Sequence, residues 1–448
     1  MPCHFLSRHR GHCLGILFGI ATLGLATARC GAEAPAAAAD PNDMSGHLSL
    51  DEARRLALAR NWDLLAAKSD VDIAFAQRLI AREVPNPTLS LSTAKISVDH
   101  HPNSTVMGNG LWERSYDTIA AITQLLEIGG KRGSRQVSAT AGWRTAKARL
   151  ADACRLLDQG IAGAYVAALQ AGENARILRE SAASLRQEAR IAAIRFKAGE
   201  IAESDQKQIE IAADRLELDA QSADAAAAAA RINVEVLLGA RHPEGQWIAT
   251  DTLESLARTP VPHDRSAPAF PRPDVAEAEA AKAKADADLK LQRAYRVPDP
   301  TLQFQYERNP ADLPNTIGFG FSLPLPLWNH NRGAIEAAKA AAEQAHVQLE
   351  KARSQAEADI INARIAYDEA ATRLDRYAKE IRPRARAITE TISFAYQKGG
   401  ASLVDLLSAQ RNDNEVRLAT AQAQADTATA AAGVIAVMNL HAFQADLP

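Results

Sequence analysis

Large side chains are scarce in this 448-residue chain: aromatics make up 5%, and methionine and cysteine number four each. So few bulky groups cannot fill one thick globular core, and the abundant alanine favours long helices packed in thin layers. Two of the cysteines, Cys3 and Cys13, fall within the first 28 residues, which leaves Cys30 and Cys154. A disulfide framework is thereby excluded. Net charge is −3 with no basic stripe, so nothing points to nucleic acid. No serine, cysteine or paired-carboxylate constellation calls for catalysis, and no cofactor is expected. Proline is missing between Gly133 and Phe196, which permits one uninterrupted helix there.

The N-terminus is richer in signal. Arg8, His9 and Arg10 precede an apolar run over residues 14–25, followed by Ala26, Thr27 and Ala28. That order reads as a secretory signal over residues 1–28, since the run is short for a membrane span. Residues 29–47 read as a flexible leader. Cys30 is a candidate lipidation site, although Arg29 stands where a small residue normally precedes a lipidated cysteine.

The body of the chain is written twice. Phe196, Gly199 and Asp205 return as Tyr396, Gly399 and Asp405, and Leu218 and Val234 return as Leu418 and Val434. The run VPNPTL at residues 84–89 returns as VPDPTL at 297–302. Residues 48–248 and 272–440 are therefore expected as two similar repeats, joined by a proline-rich linker over 249–271 and followed by a short tail over 441–448. Ser49, with Glu52 three residues on, predicts a helix start, and helical pattern continues to Glu83. Strands are predicted near 88–98, 117–127, 301–307 and 315–325, with long helices from about 133, 204, 333 and 402. Ile360, Tyr367, Leu374, Ile381 and Ile388 recur every seven residues, as in coiled-coil packing, and Pro383 is expected to bend that helix without ending it. Ile209 and Leu216 form one seam on their helix while Ile211 and Leu218 form another, so that helix has neighbours on two sides.

The strands bear on function. Ile317, Phe319, Phe321, Leu323 and Leu325 alternate with small or polar residues. Such a sheet either covers helices in a soluble domain or enters lipid, where only a closed barrel satisfies the backbone. Four strands are too few to close, so a membrane role requires several copies. Three other groups are set aside. Asp99, His100 and His101 sit in a polar loop without a third ligand. His330 is expected to help a strand turn into a helix. Residues 129–134 (GGKRGS) lack the spacing of a phosphate loop, and Lys131 and Arg132 would lie just below the membrane if the strands enter lipid.

The runs LDEARRLAL at 50–58, VPNPTL at 84–89, QLLEIGGKRG at 124–133 and FSLPLPLW at 321–328, in their duplicated order, resemble the TolC-like outer-membrane efflux proteins, nearest the CzcC-like heavy-metal branch. The resemblance implies a mainly α fold with a β-barrel part. A coiled-coil helical barrel and four membrane strands per protomer would close as a homotrimer in the outer membrane and extend into the periplasm. It implies a passive exit duct, plausibly for heavy-metal cations, served by an RND-type inner-membrane pump through a periplasmic adaptor. The turns carrying Phe196, Gly199, Asp205, Tyr396 and Gly399 would be the adaptor-docking tip, with Asp405 and Ser408 as tunnel-constriction candidates. Ser408 stands where the family pattern has a second acid. A soluble periplasmic scaffold or adaptor remains the alternative reading.

Overall fold

The computed structural model describes residues 46–94, 117–262, 271–309 and 313–440. The signal, Cys30, the group Asp99, His100 and His101, and the tail at 441–448 lie outside them. The first half runs β1 (His47–Leu48), α1 (Leu50–Arg60), α2 (Trp62–Ile80), β2 (Thr88–Ala94), β3 (Asp117–Leu125), α3 (Lys131–Lys197) and α4 (Glu203–Leu237). Next come β4 (Ile248–Ala249) and α5 (Leu253–Ala257). The second half runs α6 (Pro273–Ala294), β5 (Thr301–Arg308), β6 (Thr316–Ser322), α7 (Arg332–Arg376), α8 (Arg382–Gln397) and α9 (Leu403–Val437).

Ser49 caps α1 by accepting a hydrogen bond from Glu52 N at 3.2 Å. The helix expected to continue to Glu83 is instead broken at Asn61. The Asn61 Oδ1 accepts from Leu64 N at 3.1 Å and starts α2, while its Nδ2 donates to Leu237 O at 2.9 Å and closes α4. One buried amide thus serves two helix ends, a service that the surrounding apolar spacing conceals. Proline at 85 and 87 then forces extended chain into β2.

Helix α3 holds 67 residues, about 100 Å at ~1.5 Å per residue. Its counterpart is jointed: α7 passes through a π-helical turn, Tyr377–Ile381, into α8. Pro383 has no N–H to offer the preceding turn, and the widened turn immediately before it keeps the helix continuous. The expected survival of the helix is observed, and the device is a π turn.

The region expected as a plain linker is partly structured. In it, Ala249 of β4 pairs in parallel with Leu48 of β1, so the last leader residue, His47, also belongs to a strand. The Tyr165 hydroxyl lies 2.7 Å from Leu48 O and 3.1 Å from Asp251 Oδ2, and its ring stacks on Trp247 at 5.5 Å. Burial, then the Asp251 charge, raise the Tyr165 pKa above the ordinary phenol range. Helix α5 packs on α9, whose buried surface is largely alanine and threonine. Buried Thr420 and Thr427 donate to Val416 O and Ala423 O one turn back, so neither hydroxyl is left unmade.

Four antiparallel strands form one sheet in the order β2-β3-β5-β6, with its central seam, β3 against β5, between the two halves. Register sorts its faces. Leu89, Ile122, Phe304 and Phe319 lie across from one another on one face, as do Leu302 and Phe321. Thr88, Thr123, Gln303 and Gly320, then Ser90, Ala121, Gln305 and Gly318, form the other. The apolar face is bare: Phe319 is 83% exposed and Leu91 76%. The helices repeat this order. Helix α3 packs on α2 and α6, and α6 on α7, giving α2-α3-α6-α7 beside β2-β3-β5-β6. Farther along, α4 and α9 flank α3, and α8 follows α9.

Candidate functional site

The two helical hairpins, α3 with α4 and α8 with α9, end in turns built alike. At the first, Gly199 N donates to Phe196 O at 2.9 Å and Glu200 N to Arg195 O at 2.9 Å. At the second, Gly399 N donates to Tyr396 O at 3.0 Å and Gly400 N to Ala395 O at 2.8 Å. Both are Schellman closures, and Gly199 and Gly399 each have φ of +78°, a left-handed conformation that glycine adopts without strain. No atom lies within 4 Å of a Cβ built on either glycine, so it is backbone conformation and not crowding that requires them.

Leu185, Ala189 and Ala192 of α3, Ile209 and Ala213 of α4, Tyr396 of α8, and Leu403 and Leu406 of α9 form one buried cluster. It brings both turns to the same end of the molecule. The duplicated aromatics diverge there. Tyr396 is 8% exposed within the cluster, with the Arg195 guanidinium 5.5 Å from its ring centre, whereas Phe196 is 37% exposed. Tyr396 thus supports the tip from inside, and burial raises its phenol pKa.

The duplicated aspartates diverge too. The Asp405 Oδ2 accepts from Ser402 N at 3.1 Å and from Ser402 Oγ at 2.7 Å, while Ser402 Oγ accepts from Asp405 N at 3.2 Å. This is a reciprocal capping box starting α9. In the first half, Ala202 takes the place of Ser402, and α4 starts with no side-chain cap. Asp405 and Ser408 are both exposed, one turn apart. Ile194 and Phe394, also 200 residues apart, are both exposed apolar groups beside the turns. Sequence reading passed them over, although the same offset carries them.

Above the tip, a cavity of about 660 Å³ opens between the hairpins, lined among others by Glu180, Ser181, Arg215, Gln410, Asn414 and Arg417. Polar contacts bridge α3 and α9 beside it: Ser181 Oγ to Asn414 Oδ1 at 2.5 Å and Arg417 Nη2 to Glu180 Oε2 at 2.6 Å. The Arg417 hydrogen bond outweighs burial and, with the Arg176 charge, holds the Glu180 carboxyl below the ordinary range. Among the described residues no group of three or more His, Cys, Asp or Glu is placed to hold a metal, and no helix is long and apolar enough to cross a membrane.

At the other end, beneath the sheet, Lys131 is buried and not directed at solvent. Its Nζ stands 2.6 Å from Asp299 Oδ1 and donates to Val297 O at 2.5 Å. Arg132 and Arg135 donate to the carbonyls of Arg82 and of Ala81 and Glu83, the C-terminal end of α2. The basic run thus engages backbone carbonyls, Asp299 and, through Arg135, Glu127 at 2.6 Å, and His330 lies in the exposed passage from β6 to α7.

The outer membrane efflux protein family model matches residues 53–240 and 271–440. The chain belongs to the outer membrane efflux protein family. The curated relative CzcC, the cobalt-zinc-cadmium resistance protein of Cupriavidus metallidurans, is 24% identical over 378 residues, covering 84% of this chain and 87% of that one. Solved structures share the fold. The outer-membrane protein VceC of Vibrio cholerae matches with a TM-score of 0.69 and 17% identity, over 87% of this chain and 95% of that one. CusC matches with a TM-score of 0.70 and 16% identity, over 87% and 91%. This outer membrane efflux protein is accordingly an exit channel of the outer membrane reaching into the periplasm, built as a helical barrel with a β part. Its family is one of transport channels.

Proposed function

We propose that three copies close into one duct that passes heavy-metal cations outward, supplied by an RND-type inner-membrane pump through a periplasmic adaptor. The observation that carries this reading is the shared edge order. Strands and helices both leave β2 and α2 at one edge and β6 and α7 at the other. Each neighbouring strand pair is antiparallel, so β6 runs opposite to β2 and meets the β2 of a second copy in the same sense. Twelve strands make an even, closed barrel with its apolar face to lipid and its glutamine, serine and threonine face to the lumen. The exposed seam of Ile211 and Leu218 on α4 supplies the matching contact between helices.

The adaptor docks on the tip through exposed Ile194, Phe196 and Phe394 around the glycine turns, with Asp205 at the start of α4. Asp405, repeated three times around the mouth, adds negative charge that favours cations. Metal cargo is supported by the relative's name, and among the described residues no cluster is placed to hold a metal. The test is outer-membrane fractionation with mass determination of the detergent-extracted species, followed by cobalt, zinc and cadmium tolerance of a deletion strain. Trimers and lost tolerance support the reading. A soluble monomer removes the duct and favours the scaffold, and trimers with unchanged tolerance remove the metal cargo.

A further inference from the structure

The chain leaves β6 through residues 323–328, LPLPLW, before α7 begins. We infer that this strap lies in the periplasmic-side leaflet of the outer membrane, with Trp328 among the lipid headgroups. The inference rests on the barrel reading above and adds a lipid contact outside the sheet.

Three observations carry it. The first is length. β6 has seven residues, short of the ~9–11 that a spanning strand takes. Its outward column, Ile317, Phe319 and Phe321, covers about 13 Å along the strand, or roughly 10 Å of height at a ~45° tilt. The apolar band of such barrels is ~25 Å tall. Leu323 and Leu325 keep the odd positions apolar up to the turn that Leu327 N closes on Leu325 O, and the column from 317 to 325 then spans about 26 Å, or roughly 19 Å when tilted.

The second is the backbone. Pairing with β5 ends at Thr301 and Ser322, so the strap has no ladder partner in its own copy. Pro324 and Pro326 have no N–H, and Leu327 N donates to Leu325 O at 2.9 Å. Among residues 323–327, two donors are thus missing by chemistry and a third is satisfied locally. Hydrocarbon penalises unmade carbonyls as well as donors. The strap's two remaining donors and remaining carbonyls need water, so it lies at the hydrated headgroup edge of that leaflet and not in its core.

The third is where the apolar character stops. Leu325 and Leu327 are 67% and 63% exposed and Trp328 92%. Asn329, His330, Asn331 and Arg332 follow at once. Asn331 Nδ2 donates to Gln292 O at 2.7 Å, which seats this polar end beside the end of α6 with its Arg293 and Arg296. An apolar run closed by tryptophan and then by polar and basic groups matches the step from acyl chains to phosphate headgroups. The apolar residues of α2 in a second copy, Ile73 and Ile80, are the competing occupant, and no tryptophan at a polar boundary is needed there.

The test uses the whole protein in vesicles of phosphatidylcholine and phosphatidylglycerol, with bromine on the acyl chains near the headgroup. The fluorescence lost on Trp328→Phe is the Trp328 component. The expected result is strong quenching of that component by the brominated lipid and little by aqueous acrylamide. Quenching by acrylamide alone puts Trp328 in water, and quenching by neither puts it under a second copy; either overturns the inference while leaving the barrel standing. Wild-type protein that fails to enter vesicles overturns the inference and the barrel together.

Discussion

Lys131, from the first half, stands 2.6 Å from Asp299, in the second half. Asn86 holds the corresponding place in the first copy of that proline motif, so the duplicated motifs have parted: only the second carries the carboxylate that Lys131 uses. Asp299 Oδ1 also accepts from Ile128 N at 2.9 Å, which ties the end of β3 to the same point. Removing one member of a buried pair typically costs ~3–5 kcal/mol. Asp299→Ala is expected to lose stability on that order and Asp299→Asn less, since an amide oxygen still accepts from Ile128. The measurement is the heat-denaturation midpoint in detergent.

Gln305 lies across Gly318 on the polar face of the sheet. A Cβ built on Gly318 would stand 3.1 Å from Gln305 Cγ, and one on Gly320 would stand 3.2 Å from Gln303 Cβ. Gly318→Val should displace the glutamine and cost ~1–3 kcal/mol by overpacking. Adding Gln305→Ala should recover most of that loss. A double-mutant cycle on denaturation midpoints checks the coupling, and additive losses would disprove it.

Glycines with positive φ separate into two kinds. A Cβ on Gly239 would meet Arg60 O at 2.4 Å, while one on Gly199 or Gly399 would meet nothing. Gly239→Ala is therefore expected to add a steric clash to the ~1–2 kcal/mol of left-handed strain and to destabilise the fold. Gly199→Val and Gly399→Val should leave trimers intact and abolish efflux by reshaping the turns. Trimer yield alongside transport in cells distinguishes the two effects, and normal transport in both tip variants would remove the docking assignment.

Acid should release the start of α9 late. The Ser402 hydroxyl, then its backbone N–H, hold the Asp405 carboxyl below its ordinary pKa. A depressed folded value means that the cap is complete above the unfolded value of ~3.9 and is lost as pH falls through the lower folded value. Hydrogen exchange of the residue-402 amide, which donates to the Asp405 carboxylate, corrected for intrinsic rate, should stay slow down to about pH 4. In Ser402→Ala the loss should begin at higher pH, and an unchanged profile would disconnect the cap from this carboxyl.

Periodicity and duplication made most of the fold legible. The four strands and the long helices begin within a few residues of where alternation, proline and glycine placed them, because those signals are local. The break at Asn61 was passed over although its cap on Leu64 N is local. Only its second bond, to a carbonyl 176 residues away, leaves no trace in nearby sequence. Also not legible was the structure of the region after β4, where Asp251 and Tyr165 gather chain ends that no local pattern relates. At the tip, the repeat identified the turns but not that Tyr396 faces inward while Phe196 stays accessible. Burial there depends on how four helices meet, and the paired exposure of Ile194 and Phe394 emerges only from that packing.

The π turn before Pro383 has a mechanical consequence. Each copy contributes one unbroken stave, α3, and one jointed stave, α7 with α8. A push at the tip is then expected to bend the jointed stave at the height of Tyr377–Ile381, while α3 carries the load straight to the foot of the barrel.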